Sequence, residues 1–462
     1  MAMKGLEKFR IKAKYVFDLL PTQGLRLTVL QAVPFWIASL MTGLVAVGFT
    51  RLFAYSEESL QYVLHWKPWM IFVMSPVFFF LAWLCVRLFA PNARGSGIPQ
   101  VMAAIELATP KHDYLVRKLL SVKIIIVKII SSLLMVMGGG AIGREGPTIQ
   151  IAGSIFRMVN QWIPSSWPRR SRQSFILTGA AAGLAAAFNT PLGGVVFAME
   201  ELARIHIRFF RTALFSAVII AGLTAQGLLG PYLYLGYPDV RSSSLLVFLA
   251  VAGTAALAGI GGGLTGKAIL AVMKWKRKLN AVRSLLFLLG AGLLIAAIAY
   301  FINDQILGSG KALMNAVLFT KHKSMGWDTV VFRMLGSVIC FNTGAAGGVF
   351  APALASGASI GAAVATVFHV AGANANIIIL SGMVGFLTGI TRTPFTSAIL
   401  VLEMTDRHSV IFQLMLAAMI SQLTALMVER HSLYEHLKKD YLEEVLQTDN
   451  EAPPPPNAKL IE

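Results

Sequence analysis

The chain has 462 residues, 56% of them hydrophobic and only 13% charged, about half the charged share of a soluble domain. Apolar stretches recur from Leu27 to Val428, many long enough to cross a bilayer, so a soluble globular protein is excluded in favour of a polytopic helical membrane protein. The net charge of +18 gathers at the ends of apolar stretches, as in Arg169, Arg170 and Arg172 or Lys274, Lys276, Arg277 and Lys278, which marks cytoplasmic loops rather than a nucleic-acid partner.

Residues 1–24 alternate basic and apolar side chains and read as an amphipathic helix on the cytoplasmic face. No removable signal peptide is recognised there. Spans are expected from about Leu25 to Leu52 and from about Trp69 to Leu88, followed by the turn Gly95-Ser96-Gly97-Ile98-Pro99, whose proline opens a helix. Leu119 to Met137 is apolar apart from Ser121, Lys123, Lys128, Ser131 and Ser132. Lys128 either adds positive potential to a pore or snorkels to an interface.

The next stretch, Gly138-Gly139-Gly140-Ala141-Ile142-Gly143-Arg144-Glu145-Gly146-Pro147, sets a charged pair among glycines deep in apolar sequence. Ionisable residues at that depth are functional by default. Pro147 marks a helix start, whose free N–H groups and roughly +0.5 of a charge suit an anion. A phosphate loop is rejected, because Arg144-Glu145 stands where Lys-Ser/Thr is required.

The segment after Glu145 is expected to be short, as are Phe175–Ala187 and Pro191–Met199, split at Asn189-Thr190-Pro191. Interrupted segments point to broken helices meeting near the membrane midplane. Longer spans follow at about 212–229, 245–272 and 285–302. The pattern then returns: Leu177 to Glu200 lines up with Leu380 to Glu403, and Gly139-x-Ala141-x-Gly143-x-x-x-Pro147 with Gly344-x-Ala346-x-Gly348-x-x-x-Pro352. Residues 25–231 and 243–428 therefore read as two membrane repeats, 429–447 as a cytoplasmic helix, and 448–462 as a disordered tail.

Three glycine turns thus precede helices, at 95–99, 143–147 and 347–352. If their starts converge, they form a pocket of backbone N–H groups able to replace an anion's water shell, whose loss otherwise costs tens of kcal/mol. Cys85 and Cys340 read as packing residues. The eight histidines are scattered and no His-Glu-x-x-His occurs, so no metal, no cofactor and no enzyme activity is expected.

GSGIP, GREGP, GGVFAP and the late Tyr434 resemble the signatures of the CLC family of chloride channels and chloride/proton antiporters, over about residues 25–440 and in the family's order. The resemblance implies an all-α polytopic fold of two inverted repeats of tilted and broken helices. It further implies a homodimer with one pore per subunit, in a plasma (inner) membrane, with both termini cytoplasmic. Its partners would be chloride, protons and the lipid bilayer.

By the same resemblance, Ser96 and Tyr434 give hydroxyls to chloride, and Val349 and Phe350 give backbone N–H groups. Arg144 and Gly146 join the chloride-binding set, and Glu145 is the external gate. The internal proton acceptor is Glu200 or Glu201, with matching from Thr190-Pro191 favouring Glu201; the other role open to it is pairing with Arg204 or Arg208. Because passive channels of the family tend to lack that acid, an exchanger is favoured over a passive chloride channel. Ser96 resembles chloride-selecting members, whereas nitrate-selecting ones resemble GPGIP. Two departures stand out: Gln100 where an acid is common, and Ala346 where a proline often precedes the Gly-Gly pair. The first is expected to alter proton entry or local charge, the second to soften the loop carrying Val349 and Phe350.

Overall fold

The computed structural model describes residues 23–450, apart from 165–166, 169, 203–210, 231–232, 241–244, 321–322 and 324. The amphipathic segment expected before residue 23 lies outside the described residues, as do the residues after 450. Among the described residues, nine helices are long and apolar enough to cross a membrane. The protein is an integral membrane protein.

Three expected boundaries shift. The first helix runs Gln23–Trp66, well past Leu52, roughly 66 Å at 1.5 Å per residue and far more than an untilted crossing needs. It continues because its polar residues find partners on neighbouring elements: Arg51 donates to Leu228 O at 2.7 Å, and Glu57 accepts from Ser309 N at 2.9 Å. The helix after Glu145 is not short but spans 18 residues, Glu145–Trp162. Its polar Gln150 and Ser154 side chains both bond backbone carbonyls within the protein. The last helix, Leu433–Asn450, runs three residues beyond 447.

The duplication is visible in hydrogen bonds. Gly143 and Gly348, equivalent in the two repeats, exchange a reciprocal pair: Gly143 N donates to Gly348 O at 2.7 Å and Gly348 N to Gly143 O at 2.8 Å. Antiparallel pairing of equivalent residues requires a twofold axis between them, with the chain reversed across it. A second reciprocal pair repeats the relation. Glu200 accepts from Phe395 N and Thr396 N, and Glu403 accepts from Leu192 N and Gly193 N. The breaks match too: Asn189 and Arg392 end their helices in the left-handed conformation, φ 57° and 63°, and Pro191 and Pro394 each open the next helix. The fold is the expected all-α arrangement of two inverted repeats with broken helices.

Phe350–Val367 and Gly372–Thr391 form the centre of the second repeat, almost wholly buried although each is apolar enough to face lipid. They pack through glycine: a Cβ on Gly357 would fall 2.2 Å from Gly382 O, and one on Gly382 2.3 Å from Gly357 O. Such backbone-to-backbone approach is how membrane helices gain contact where lipid offers no hydrophobic drive.

Candidate anion site at three helix starts

The three glycine turns converge. Gly95 N donates to Ala345 O at 2.8 Å and Gly347 N to Gly95 O at 3.0 Å, which joins the first turn to the third. The Gly143–Gly348 pair joins the second to the third. The first meets the second through close approach: a Cβ on Gly146 would fall 2.2 Å from Ser96 Oγ, and one on Gly97, whose φ is 109°, 2.7 Å from Gly146 O. The helices Ile98–Leu107, Glu145–Trp162 and Phe350–Val367 therefore begin around one small volume. Each adds an N-terminal dipole and free N–H groups.

The side chains there are buried, and several polar atoms have no protein partner. Ser96 is 1% exposed and Tyr434 0%. Neither Ser96 Oγ nor Tyr434 Oη makes a hydrogen bond to the protein, although the two hydroxyls face each other. Leaving a buried hydroxyl unmatched costs about 1–3 kcal/mol. Tyr434 is held flat against Phe350, ring centroids 6.2 Å apart and 12° between planes. Val349 caps the Phe350 helix and Phe350 is its first residue, so their N–H groups belong to the helix start.

Glu145 is 1% exposed. Its carboxylate faces the N–H groups of Ala351 and of its own residue, and a Cβ on Gly143 would lie 2.3 Å from Glu145 Oε2 and 3.2 Å from Ala351 N. An acid thus sits at the start of the Phe350 helix, where an anion would bind. Arg144 turns elsewhere, its Nη1 donating to Thr50 O at 3.4 Å and its guanidinium lying 5.8 Å over the Tyr234 ring.

The two candidate inner acids separate. Glu200 is engaged at the start of the Pro394 helix, accepting from Phe395 N, Thr396 N and Thr396 Oγ1. Glu201, one residue on, has a buried Oε1 with no hydrogen-bond partner. The π-helical turn Ala198–Leu202 carries both. Such turns widen a helix locally and occur often at functional sites. Residues 203–210 lie outside the described residues, so the pairing of Glu201 with Arg204 or Arg208 goes undescribed. Phe350 gathers an aromatic wall, contacting Phe188, Phe197 and Tyr434. Tyr434 is within electrostatic reach of both Glu145 and Glu201.

Three of the singled-out residues find partners in the turns around the site. Lys128 does not snorkel: it is 0% exposed, and its Nζ donates to Ala93 O and Gly95 O at 2.8 Å each, clamping the turn that carries Ser96. Ala346 donates its N–H to Ser131 Oγ at 3.0 Å, a bond proline cannot make. Gln100 ties the same turn to the last helix, its Nε2 donating to Arg94 O at 2.6 Å and to Tyr441 Oη at 3.0 Å. Sequence reading missed Tyr234, Phe188 and Phe197. Tyr234 lies in the connection between the repeats and has no repeat counterpart to signal it.

The chain matches the family model described as voltage gated chloride channel over residues 77–426. It is 29% identical over 419 residues to a protein of Citrobacter koseri named H(+)/Cl(-) exchange transporter ClcA, covering 86% of each chain. A protein of the same name from Salmonella paratyphi B is 28% identical over the same length. Among solved structures, a slow cyanobacterial Cl-/H+ antiporter aligns with TM-score 0.77 and 25% identity, covering 89% of this chain and 98% of its own. A CLC-type fluoride/proton antiporter aligns with TM-score 0.72 and 18% identity over the same shares, a likeness of fold. The family model takes in well over half of the sequence, including all three glycine turns, and the chain belongs to the voltage gated chloride channel family.

Proposed function

We propose that the protein exchanges chloride for protons across the membrane, with Glu145 as the outer gate and Glu201 as the inner proton acceptor. The observation that carries this reading is the seat of Glu145: its carboxylate faces the start of the Phe350 helix within electrostatic reach of Tyr434, and the next residue, Gly146, closes on the Ser96 hydroxyl. An ionised carboxylate and a chloride compete for such a seat. Protonation removes the acid's claim on the helix start and frees it for chloride, so one site couples the two ions. The names of the relatives, exchange transporters and a Cl-/H+ antiporter, support the same reading.

Chloride is held by Ser96, Tyr434 and the N–H groups of Val349 and Phe350, with the backbone of Arg144 and Gly146 closing the outer side. Lys128 keeps the Ser96 turn in place. We further propose a homodimer in the plasma (inner) membrane, with both termini cytoplasmic, in keeping with the basic residues that flank the apolar helices.

Paired chloride and proton fluxes in reconstituted vesicles test the function. A chloride gradient is expected to drive protons uphill in the native protein. Glu145→Gln is expected to pass chloride without protons. Chloride movement with no proton movement in the native protein would instead make it a passive channel.

A further inference from the structure

We infer that Tyr234 is a positioning residue that holds the Glu145 carboxylate in its seat and so sets how strongly it competes with chloride. The inference rests on the gate assignment above and adds a residue to it.

Tyr234 is 3% exposed. Its hydroxyl donates to Glu145 Oε1 at 3.5 Å, on the carboxylate oxygen other than the one beside Gly143. Its ring packs edge-on against Phe188 at 5.0 Å between centroids, in the same aromatic wall as Phe350. Two cations lie over the ring, Lys311 at 5.0 Å and Arg144 at 5.8 Å. They come from opposite repeats. A cation over a phenol face draws on its electron density and strengthens the O–H as a donor. The segment is itself anchored, since the next residue, Leu235, donates through its N–H to Met404 O at 3.2 Å.

The seated carboxylate therefore takes its hydrogen bond from Tyr234 on Oε1, while Oε2 faces the start of the Phe350 helix without one. The N–H groups of the Phe350 helix start serve chloride or the acid equally. The Tyr234 hydroxyl is aligned on the acid, which makes it a differential contact, and only a differential contact shifts the balance between gate closed and gate open. Removing it is expected to favour chloride. At 3.5 Å the bond is long, and a modest hydrogen bond corresponds to about a two- to tenfold change in that balance.

The experiment uses the full chain and compares the native protein, Tyr234→Phe, Glu145→Gln and the double variant. Chloride binding is measured by titration calorimetry in detergent, and paired chloride and proton flux in vesicles. Phenylalanine keeps the ring, the Phe188 contact and the seat for both cations; Tyr234→Met gives a second reading should the phenylalanine protein not be monodisperse. Tyr234→Phe is expected to tighten chloride binding about two- to tenfold and to raise chloride turnover, with protons still coupled. In the Glu145→Gln background the same change is expected to have a much smaller effect, because the neutral amide is a weaker acceptor and no longer competes as an anion for the seat. An equal shift in both backgrounds overturns the inference, since Tyr234 would then act on something other than the acid. Unchanged chloride binding in Tyr234→Phe, with Glu145→Gln uncoupled, overturns it while the gate assignment stands. Full proton coupling in Glu145→Gln removes the gate assignment and this inference with it.

Discussion

Two adjacent glutamates show how far a side chain's task depends on its neighbours. Glu200 caps the Pro394 helix through two N–H groups and a hydroxyl, while Glu201 keeps a buried oxygen unmatched. The repeat alignment already pairs Glu200 with Glu403, and in the structure the two do the same work on opposite helices. The acid without a counterpart is Glu201, proposed above as the inner proton acceptor. Glu201→Gln is accordingly expected to abolish proton movement while chloride efflux persists. Glu200→Gln is expected to retain both, because its amide oxygen still accepts from Phe395 and Thr396. Paired fluxes from the two variants decide it, and the reverse pattern would hand the proton role to Glu200.

The reciprocal caps act between elements as well as on them. Each ties the end of one repeat's broken pair to the start of the other's, so the Pro191 and Pro394 helices are held by carboxylates from across the pseudo-twofold axis. A carboxylate at a helix start gains from both the free N–H groups and the dipole. Glu403→Ala is expected to cost about 1–2 kcal/mol and to lower the unfolding midpoint in detergent, with Glu403→Gln close to native. A midpoint unmoved by the alanine change would show that the cap contributes nothing. The breaks and the duplication were legible because left-handed turns, first-turn prolines and glycine approaches each demand particular residues at Asn189, Pro191, Gly146 and Gly348. Contacts that join distant segments through ordinary residues were not. Nothing local to Tyr234 or Gln100 signals a partner on Glu145 or Tyr441, because those pairings exist only once the chain has folded. The length of the first helix was hidden for the same reason, its charged end being matched by remote backbone groups.

Across the whole molecule, the last helix follows the second repeat in sequence but fastens to the first. Tyr441 accepts from Gln100 and donates to Arg94 O at 3.2 Å, its ring lies under the Arg94 guanidinium, and Arg94 pairs with Glu444. Lys438 adds an ion pair to Glu106 at 2.6 Å. These contacts hold Tyr434, at the start of the same helix, with its hydroxyl toward Ser96. On the proposed reading, chloride affinity depends on residues well away from the ion. Tyr441→Ala removes a largely buried ring and both of its hydrogen bonds, a loss of about 3–5 kcal/mol for a large aromatic side chain. It is expected to speed hydrogen exchange across 433–450 and to weaken chloride binding. The ratio of protons to chloride should stay native, since Glu145 and Glu201 keep their surroundings. Tyr441→Phe, which keeps the ring, should show a smaller change in the same direction. If exchange speeds up while chloride affinity holds, Tyr434 does not depend on this latch for its aim, and the hydroxyl pair at the anion site must be set by the Phe350 stack alone.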